Sequence, residues 1–176
     1  MRKLKNEELN RLSVEEYKNE EKNPVVLILD NIRSLNNVGS AFRTGDAFKV
    51  EKIYLCGITG QPPHRDIQKT ALGATESVEW EYAENTIDLV NQLSSHGWQI
   101  MAVEQAENSI SLLDFAPNSS DKLGFVFGNE VFGIEQGVVD ACFQCIEIPQ
   151  YGTKHSLNIS VSIGVVLWHY ISSSNI

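Results

Sequence analysis

Three segments of the chain join small residues, which leave the backbone accessible, to polar side chains that can hold a ligand or orient a reacting group. They are the stretches 31–43, 127–133 and 148–160. Each follows an apolar run typical of a strand, and α/β proteins build their sites from the loops at strand ends. Three such loops from distant parts of one chain therefore predict a single composite pocket.

Apolar runs and amphipathic segments alternate along the chain. Residues 25–30 (VVLILD) are almost all apolar, which is typical of a strand buried on both faces. The other predicted strands are 51–57, 78–82, 98–104, 122–128 and 145–149. The predicted helices are 37–48, 64–71, 86–97 and 157–171. This alternation predicts an α/β fold with a mostly parallel sheet and helices on both faces.

The chain is expected to form one main domain, residues 24–176, because no repeat or long linker interrupts it. Ahead of it, residues 1–23 read as a charged helical extension, in which residues 4–21 have the pattern of a helix with a thin apolar stripe. This helix is either a solvated surface element docked on the body or an arm that contacts the substrate.

The overall composition is that of an ordinary globular protein, with 42% apolar and 21% charged residues. No apolar run is long enough to span a bilayer, the start has no secretory apolar region, and three Cys do not form a disulfide framework. We therefore expect a cytoplasmic protein without a membrane partner. The net charge of −9 disfavours broad attraction to nucleic acid, although it leaves room for a local basic patch.

Several well-known ligand motifs are absent from the sequence. No G-x-G-x-x-G follows the first strand and no G-x-x-x-x-G-K-[ST] occurs, so dinucleotide and P-loop sites lose their main support. Cys142 and Cys145 form a C-x-x-C pair without a second pair at zinc spacing. We expect these two Cys to pack as small hydrophobic residues, with a redox or metal role as the alternative. The four His lack ligand spacing, and no metal is expected.

The predicted last helix is apolar on two sides. One stripe contains Leu157, Val161, Val165 and Trp168, and the other contains Ile159, Ile163, Val166 and Tyr170. A helix that is apolar on two sides is buried on two sides. One side can face the sheet, and the other is expected to face a partner subunit in a homodimer. The alternative is that another helix of the same chain covers it.

The three polar segments carry recognisable motifs. N-x-G-x-x-x-R-T runs from Asn37 to Thr44, F-G-N-E-x-x-G from Phe127 to Gly133, and I-P-x-x-G…S-L-N-x-S from Ile148 to Ser160. In this order and spacing they resemble the three motifs of the SpoU (TrmH) family, the RNA 2′-O-ribose methyltransferases of the SPOUT class. Each motif alone is weakly specific, whereas the three together are highly specific.

The resemblance implies a function and a fold. The expected enzyme methylates a ribose 2′-hydroxyl in structured RNA, tRNA in preference to rRNA, with S-adenosyl-L-methionine as the methyl donor. The expected fold has a C-terminal deep trefoil knot, one of the rare exceptions to unknotted connections, and forms homodimers. The alternatives are a non-catalytic relative that binds RNA or cofactor, and a knotted methyltransferase with a different acceptor.

Five residues are expected to bind the cofactor. Gly128, Ile148 and Leu157 lie in the motifs of the knot loops, where backbone groups can bond the adenine edge and apolar side chains can cover its faces. Val103 and Glu104, at the end of a predicted strand, are expected to add another wall.

Arg43 is the first of the residues expected to be catalytic. In the family the matching Arg is assigned to activating the ribose 2′-hydroxyl, with an RNA phosphate as a helper. An Arg keeps its proton at neutral pH, so a clamp on a phosphate and on the developing alkoxide is physically easier than a literal base. Asn37 is expected to orient Arg43 or the ribose, or to cap its helix.

Three more residues complete the expected catalytic set. Glu130 follows a Gly-Asn turn, where its carboxylate could brace Arg43 or the main chain of the cofactor loop, or simply face solvent. Ser156 and Asn158 open the predicted last helix, so each could cap that helix. The resemblance places both among the residues that act on the ribose or cofactor.

Overall fold

A parallel sheet forms the centre of the molecule in the computed structural model, which describes residues 1–174. Its seven strands within that range are β1 Asn23–Asp30, β2 Val50–Cys56, β3 Trp80–Ala83, β4 Gln99–Val103, β5 Ile110–Ser111, β6 Leu123–Phe127 and β7 Gln144–Glu147. Their order is β3-β2-β1-β6-β4-β7-β5, and every neighbouring pair is parallel. The predicted parallel sheet is confirmed.

Helices pack on both faces of this sheet. Those in the described part of the chain are α1 Val14–Asn19, α2 Leu35–Ala47, α3 Arg65–Ala71, α4 Ala74–Ser77, α5 Thr86–Ser95, α6 Gln136–Ala141 and α7 Ile159–Ser173. Buried residues of α1, α2, α3, α4 and α7 share one apolar core, and those of α5 and α6 share a second core. The predicted α/β class, with helices on both faces, is therefore confirmed.

Strand β1 lies between the two cores. Leu27 and Leu29 belong to the first core, whereas Val26 and Ile28 belong to the second. All four side chains are at most 1% exposed. Alternate residues of a strand point to opposite faces, so a strand covered on both faces needs a continuous apolar run. Full burial of each such side chain contributes about 1.5–3 kcal/mol to folding.

The strand order positions the site. Strands β1, β6, β4 and β7 are consecutive neighbours in the parallel sheet, so their carboxyl ends lie side by side at one edge. The connections that leave this edge begin at residues 31, 128, 104 and 148. Residues of all three polar segments predicted from the sequence therefore start at the same edge, together with the loop after β4.

The N-terminal region is not the single helix predicted over residues 4–21. A 3₁₀ helix spans Asn6–Leu9, and α1 begins only at Val14. Between them Asn10 adopts a left-handed conformation with φ 47°, which ends the first helical segment. Ser13 then starts α1 by accepting a hydrogen bond from the Glu16 backbone N–H. Tyr17, which is 5% exposed, docks α1 on the first core.

Helix α7 shows the two stripes unequally covered. Ile163, Val166 and Tyr170 are at most 1% exposed and belong to the first core. On the other stripe Val161 is 49% exposed and Trp168 is 63% exposed. No other helix of the described chain covers this second stripe, so the alternative of an internal covering helix is wrong.

Two kinds of feature are absent from residues 1–174. None of the helices combines the length and apolar character needed to cross a membrane. Within residues 1–174, no three His, Cys, Asp or Glu side chains gather in a way that could hold a metal ion.

Candidate functional site

Glu130 connects the loop after β6 to the start of α2. One carboxylate oxygen accepts a hydrogen bond from the Arg33 backbone N–H at 3.0 Å. The other accepts from the Ser34 backbone N–H and from the Asn37 side-chain amide, each at 3.0 Å. Partial burial alone would raise the pKa of Glu130, but these donors outweigh it and hold the pKa below its usual range. Glu130 is thus a charged clamp between two of the motif segments.

Asn129 adds a second connection and shapes its own loop. Its side-chain amide donates to the Asn31 backbone oxygen at 2.8 Å. Its side-chain oxygen accepts from the backbone N–H groups of Val131 at 2.9 Å and Phe132 at 3.2 Å. The backbone of Asn129 also exchanges two hydrogen bonds with Gly133. The loop 128–134 is therefore a closed turn tied to the end of β1.

Two positions of this loop require glycine, Gly128 because of a close approach to backbone and Gly133 because of its left-handed backbone conformation. A Cβ at Gly128 would lie 2.4 Å from the carbonyl carbon of Gly133. Because that carbon belongs to the backbone, it cannot move aside as the end of a flexible side chain could. Gly133 has φ +68°, and a Cβ there would lie 2.4 Å from a carboxylate oxygen of Glu104. The spacing of these two glycines in the motif therefore follows from the turn that it builds.

Glu104 joins the loop after β4 to the same turn. One oxygen of its carboxylate accepts from the Ile134 backbone N–H at 3.2 Å, and the other accepts from the Gln105 backbone N–H at 2.8 Å. The Cys145 thiol donates to the Glu104 backbone oxygen at 3.2 Å. Burial raises the pKa of the Cys145 thiol, so this Cys stays protonated and packs as predicted.

A cavity of about 750 Å³ opens where these loops meet. Its lining includes all five residues predicted to bind a cofactor, namely Val103, Glu104, Gly128, Ile148 and Leu157. Glu130 and Ser156 from the predicted catalytic set also line it. The volume lies in the range of small-molecule sites, and the walls combine apolar side chains with backbone groups of a tight turn. Such a cavity can enclose a ligand with a flat ring and a polar tail.

Arg43 lies outside this cavity. It is on α2 six residues after Asn37, which corresponds to about 9 Å along a helix axis. Its side chain is exposed, and it forms no hydrogen bond or ion pair with any residue in the range 1–174. Glu130 therefore braces the main chain at the start of α2, and the expectation that Glu130 or Asn37 contacts Arg43 is wrong for a single chain.

The caps of α2 and α7 differ in part from expectation. Ser34, not Asn37, caps α2, and its side chain accepts from the Asn37 backbone N–H at 3.3 Å. Asn37 is 8% exposed and its amide is engaged by Glu130. Asn158 caps α7 by accepting from the Ser160 backbone N–H at 2.8 Å. Ser156 precedes that cap and faces the cavity.

Gln105 is a residue of the site that the sequence did not indicate. Its side-chain amide donates to the His155 backbone oxygen at 2.7 Å, so it ties the loop after β4 to the loop that precedes α7. It belongs to none of the three motifs. Only the end of the predicted strand 98–104, immediately before it, pointed to this position.

The sequence agrees with a known family over most of its length. The model of the SpoU rRNA Methylase family matches residues 24–168. The chain belongs to the SpoU family. The three predicted motifs all begin and end within the matched range.

Similar proteins include enzymes named for two kinds of RNA. The chain is 31% identical to a 23S rRNA (guanosine-2′-O-)-methyltransferase RlmB of Neisseria meningitidis serogroup B. The 144 aligned residues cover 82% of this chain and 56% of the relative. The chain is also 26% identical to a tRNA (guanosine(18)-2′-O)-methyltransferase of Borreliella burgdorferi. The 155 aligned residues cover 88% of this chain and 69% of that relative.

The SpoU fold is also found among solved structures. An AdoMet-bound rRNA methyltransferase from Sinorhizobium meliloti superposes with a TM-score of 0.79 at 24% identity, covering 89% of this chain and 59% of that one. The first curated relatives extend further than the matched region, since this chain spans 56%, 64% and 61% of their lengths.

Proposed function

We propose that this SpoU-family protein is an enzyme that methylates a ribose 2′-hydroxyl in structured RNA, with S-adenosyl-L-methionine as the methyl donor. The observation that carries the proposal is the cavity of about 750 Å³, because the five residues expected to bind the donor all line it. The names of the relatives support RNA as the substrate and include both tRNA and rRNA. We retain tRNA as the first RNA to test.

The lining of the cavity fits this donor. Ile148 and Leu157 offer apolar surface for a flat base, and the turn around Gly128 exposes backbone groups that can bond its edge. The donor supplies an activated methyl group when it is bound. Ser156 faces the cavity and can donate a hydrogen bond to a bound polar group. Glu130 and Asn37 hold the loop that forms one wall.

We propose that a homodimer completes the site. A groove of about 630 Å³ lies along the second apolar stripe of α7. Its lining includes Val161, Val165 and Trp168 of that stripe, together with Leu113 and Tyr151. The ring of Trp168 lies 6.4 Å from that of Phe48, at the end of α2. Arg43 is five residues earlier on the same helix. A second copy that packs on the groove would therefore lie close to Arg43, which does not reach the cavity of its own chain.

Within this dimer Arg43 is proposed to grip an RNA phosphate and to stabilise the alkoxide that develops on the ribose. Its guanidinium has no partner in the described chain and is thus available to an anion. The C-terminal trefoil knot and a cytoplasmic location remain predictions. All three Cys are free, which suits a reducing compartment.

The test combines the protein with labelled methyl donor and total RNA from a strain that lacks the modification. We expect label in tRNA or rRNA at a 2′-O-methylated ribose, mapped by resistance to alkaline cleavage. Arg43→Ala should lose more than about 100-fold in rate, as removal of one transition-state donor does, while it binds the donor normally. Lys52→Ala, a basic residue of β2, is the matched control and should keep full activity.

Each other outcome contradicts part of the proposal. Donor binding without label in any RNA would indicate a non-catalytic relative, and label on a base would indicate a different acceptor. Full activity of Arg43→Ala would refute the role given to its guanidinium. Label confined to rRNA would refute only the preference for tRNA and would leave the rest of the proposal intact.

A further inference from the structure

The large cavity carries an unbalanced charge. Four carboxylates line it, from the loop after β4, the loop after β6 and helix α6: Glu104, Glu107, Glu130 and Asp140. Among the described residues that form its walls, none is Lys, Arg or His. The negative charge is not confined to one wall, because three separate elements provide it.

Two of these carboxylates are available to a ligand. Glu104 and Glu130 are engaged by backbone N–H groups and hold the loops together. The Glu107 side chain has no hydrogen bond or ion pair with any residue between 1 and 174. Asp140 accepts one hydrogen bond, from the Gln136 amide at 2.7 Å, and is otherwise exposed. Glu107 therefore has no contact within the described chain that would explain its place in the wall, and Asp140 has only the one hydrogen bond with Gln136, one turn away on the same helix.

We propose that Glu107 and Asp140 make the cavity select the cationic methyl donor over the neutral product. This inference rests on the proposed function. S-adenosylmethionine carries a sulfonium and an ammonium against one carboxylate, so its net charge is +1. When the methyl group is transferred, an O–CH₃ bond forms at the ribose 2′-oxygen and the hydroxyl proton passes to water. The S–CH₃ bond breaks and its electron pair stays on sulfur. The product sulfide is uncharged, and S-adenosylhomocysteine has no net charge.

The charge change decides which ligand the walls favour. A partly solvated carboxylate several ångströms from a unit positive charge strengthens binding by about threefold, whereas it has little effect on a neutral sulfide. Glu107 and Asp140 together should then favour donor over product by about tenfold. The same selection favours release of the product, because the product lacks the positive charge of the donor.

The test measures three dissociation constants by calorimetry at low ionic strength, for S-adenosylmethionine, S-adenosylhomocysteine and sinefungin. In sinefungin a protonated amine replaces the methylated sulfur, so it has the donor's charge without its reactivity. In the double variant Glu107→Gln/Asp140→Asn, the ratio of the product's constant to that of each cationic ligand should fall about tenfold. The neutral product serves as an internal reference for any general damage to the cavity.

A second double variant controls for the change in net charge. Glu51→Gln/Glu79→Gln removes two exposed carboxylates at the β2–β3 edge, far from β4 and β7 in the strand order. Its ratios should equal those of the wild type. The inference is overturned if the cavity variant keeps the wild-type ratios, or if the control shifts them equally. If the wild type binds none of the three ligands, the proposed function itself is refuted.

Discussion

A single carboxylate holds two motif segments together in this protein. Glu130 accepts three hydrogen bonds from residues 33–37, and two of the donors are backbone N–H groups at the start of α2. Such N–H groups have no partner within the helix, and the helix dipole favours a negative charge beside them. The sequence suggested that Glu130 braces Arg43 or a main-chain segment, and the contacts show that the main chain of residues 33 and 34 is what it holds.

The pKa of Glu130 makes this contact testable by pH. The folded pKa lies below the ordinary value of 4.5, so the carboxylate stabilises the fold above that value, and the stabilisation is lost as the pH falls through the folded pKa. At pH 7 we expect Glu130→Gln to lower the free energy of unfolding by about 1 kcal/mol, a modest figure because the group is solvent-screened.

Urea unfolding of wild type and variant between about pH 7 and pH 3 measures the effect. The difference between the two should shrink below about pH 5. Glu107→Gln, which removes an unpartnered carboxylate, should show no such trend. A difference for Glu130→Gln that stays constant across the range would contradict the charged clamp.

The other residue-level expectations fall into two groups. Some depend on where strands end, and others depend on contacts between residues far apart in the sequence. The five residues expected to bind the cofactor line one cavity because they lie at strand ends or in the loops that follow, and these strand ends meet at one edge. The partner of Asn37 was not predictable, since it lies 93 positions away in sequence. The same holds for Gln105, whose contact with the His155 backbone depends on how two loops without regular structure approach.

At the scale of elements, the apolar patterns located the strands within two residues, but they missed what local turns decide. The N-terminal helix is interrupted because Asn10 turns left-handed and Ser13 offers a new cap. Helix α4 and the short strand β5 were not predicted, since Ala74–Ser77 spans about one turn and Ile110–Ser111 only two residues. Elements this short carry too few residues to show a period.

The loop 128–134 is the element whose sequence is most tightly determined by its geometry. Gly128→Ala would drive a Cβ into the backbone at Gly133, so the turn that closes the cavity must open. We expect the variant to fold but to bind S-adenosylmethionine about tenfold more weakly, since opening such a turn costs about 1–3 kcal/mol. Calorimetry measures the binding and circular dichroism the fold.

Gly152→Ala is the matched control for folding, because a Cβ at Gly152 meets no atom within 4 Å and its φ is not in the left-handed region. Its thermal unfolding should equal that of the wild type. Wild-type donor affinity in Gly128→Ala would show that the turn does not shape the binding site.

At the scale of the molecule, the net charge of −9 must be reconciled with the proposed binding of RNA. The structure places part of the negative charge in the wall of the cavity, where four carboxylates would face the proposed cationic donor. Arg33, Arg43 and Arg65 are exposed and have no ion-pair partner within the described residues. Exposed arginines can still contact phosphates on an acidic chain, because charges further apart than about 10 Å are screened from one another.

The exposed stripe of α7 sets the final prediction, on the assembly. Trp168 and Val161 expose 63% and 49% of their surface in a groove that is mostly apolar, and such a surface is typical of a subunit interface. We expect a dimer in analytical ultracentrifugation at micromolar concentration. Trp168→Asp and Val161→Asp should each yield monomer, because a buried, unpaired carboxylate costs several kcal/mol.

Two variants are needed because Trp168 also contacts Phe48 of its own chain, whereas Val161 tests the groove without that ring contact. Phe143→Asp replaces an apolar residue that is 68% exposed outside the groove, and it should leave the dimer intact. If the groove variants remain dimeric, the groove is not the interface between the two copies. If the wild type sediments as a monomer, Arg43 has no second copy to serve. Its position outside the cavity would then require RNA itself to complete the site.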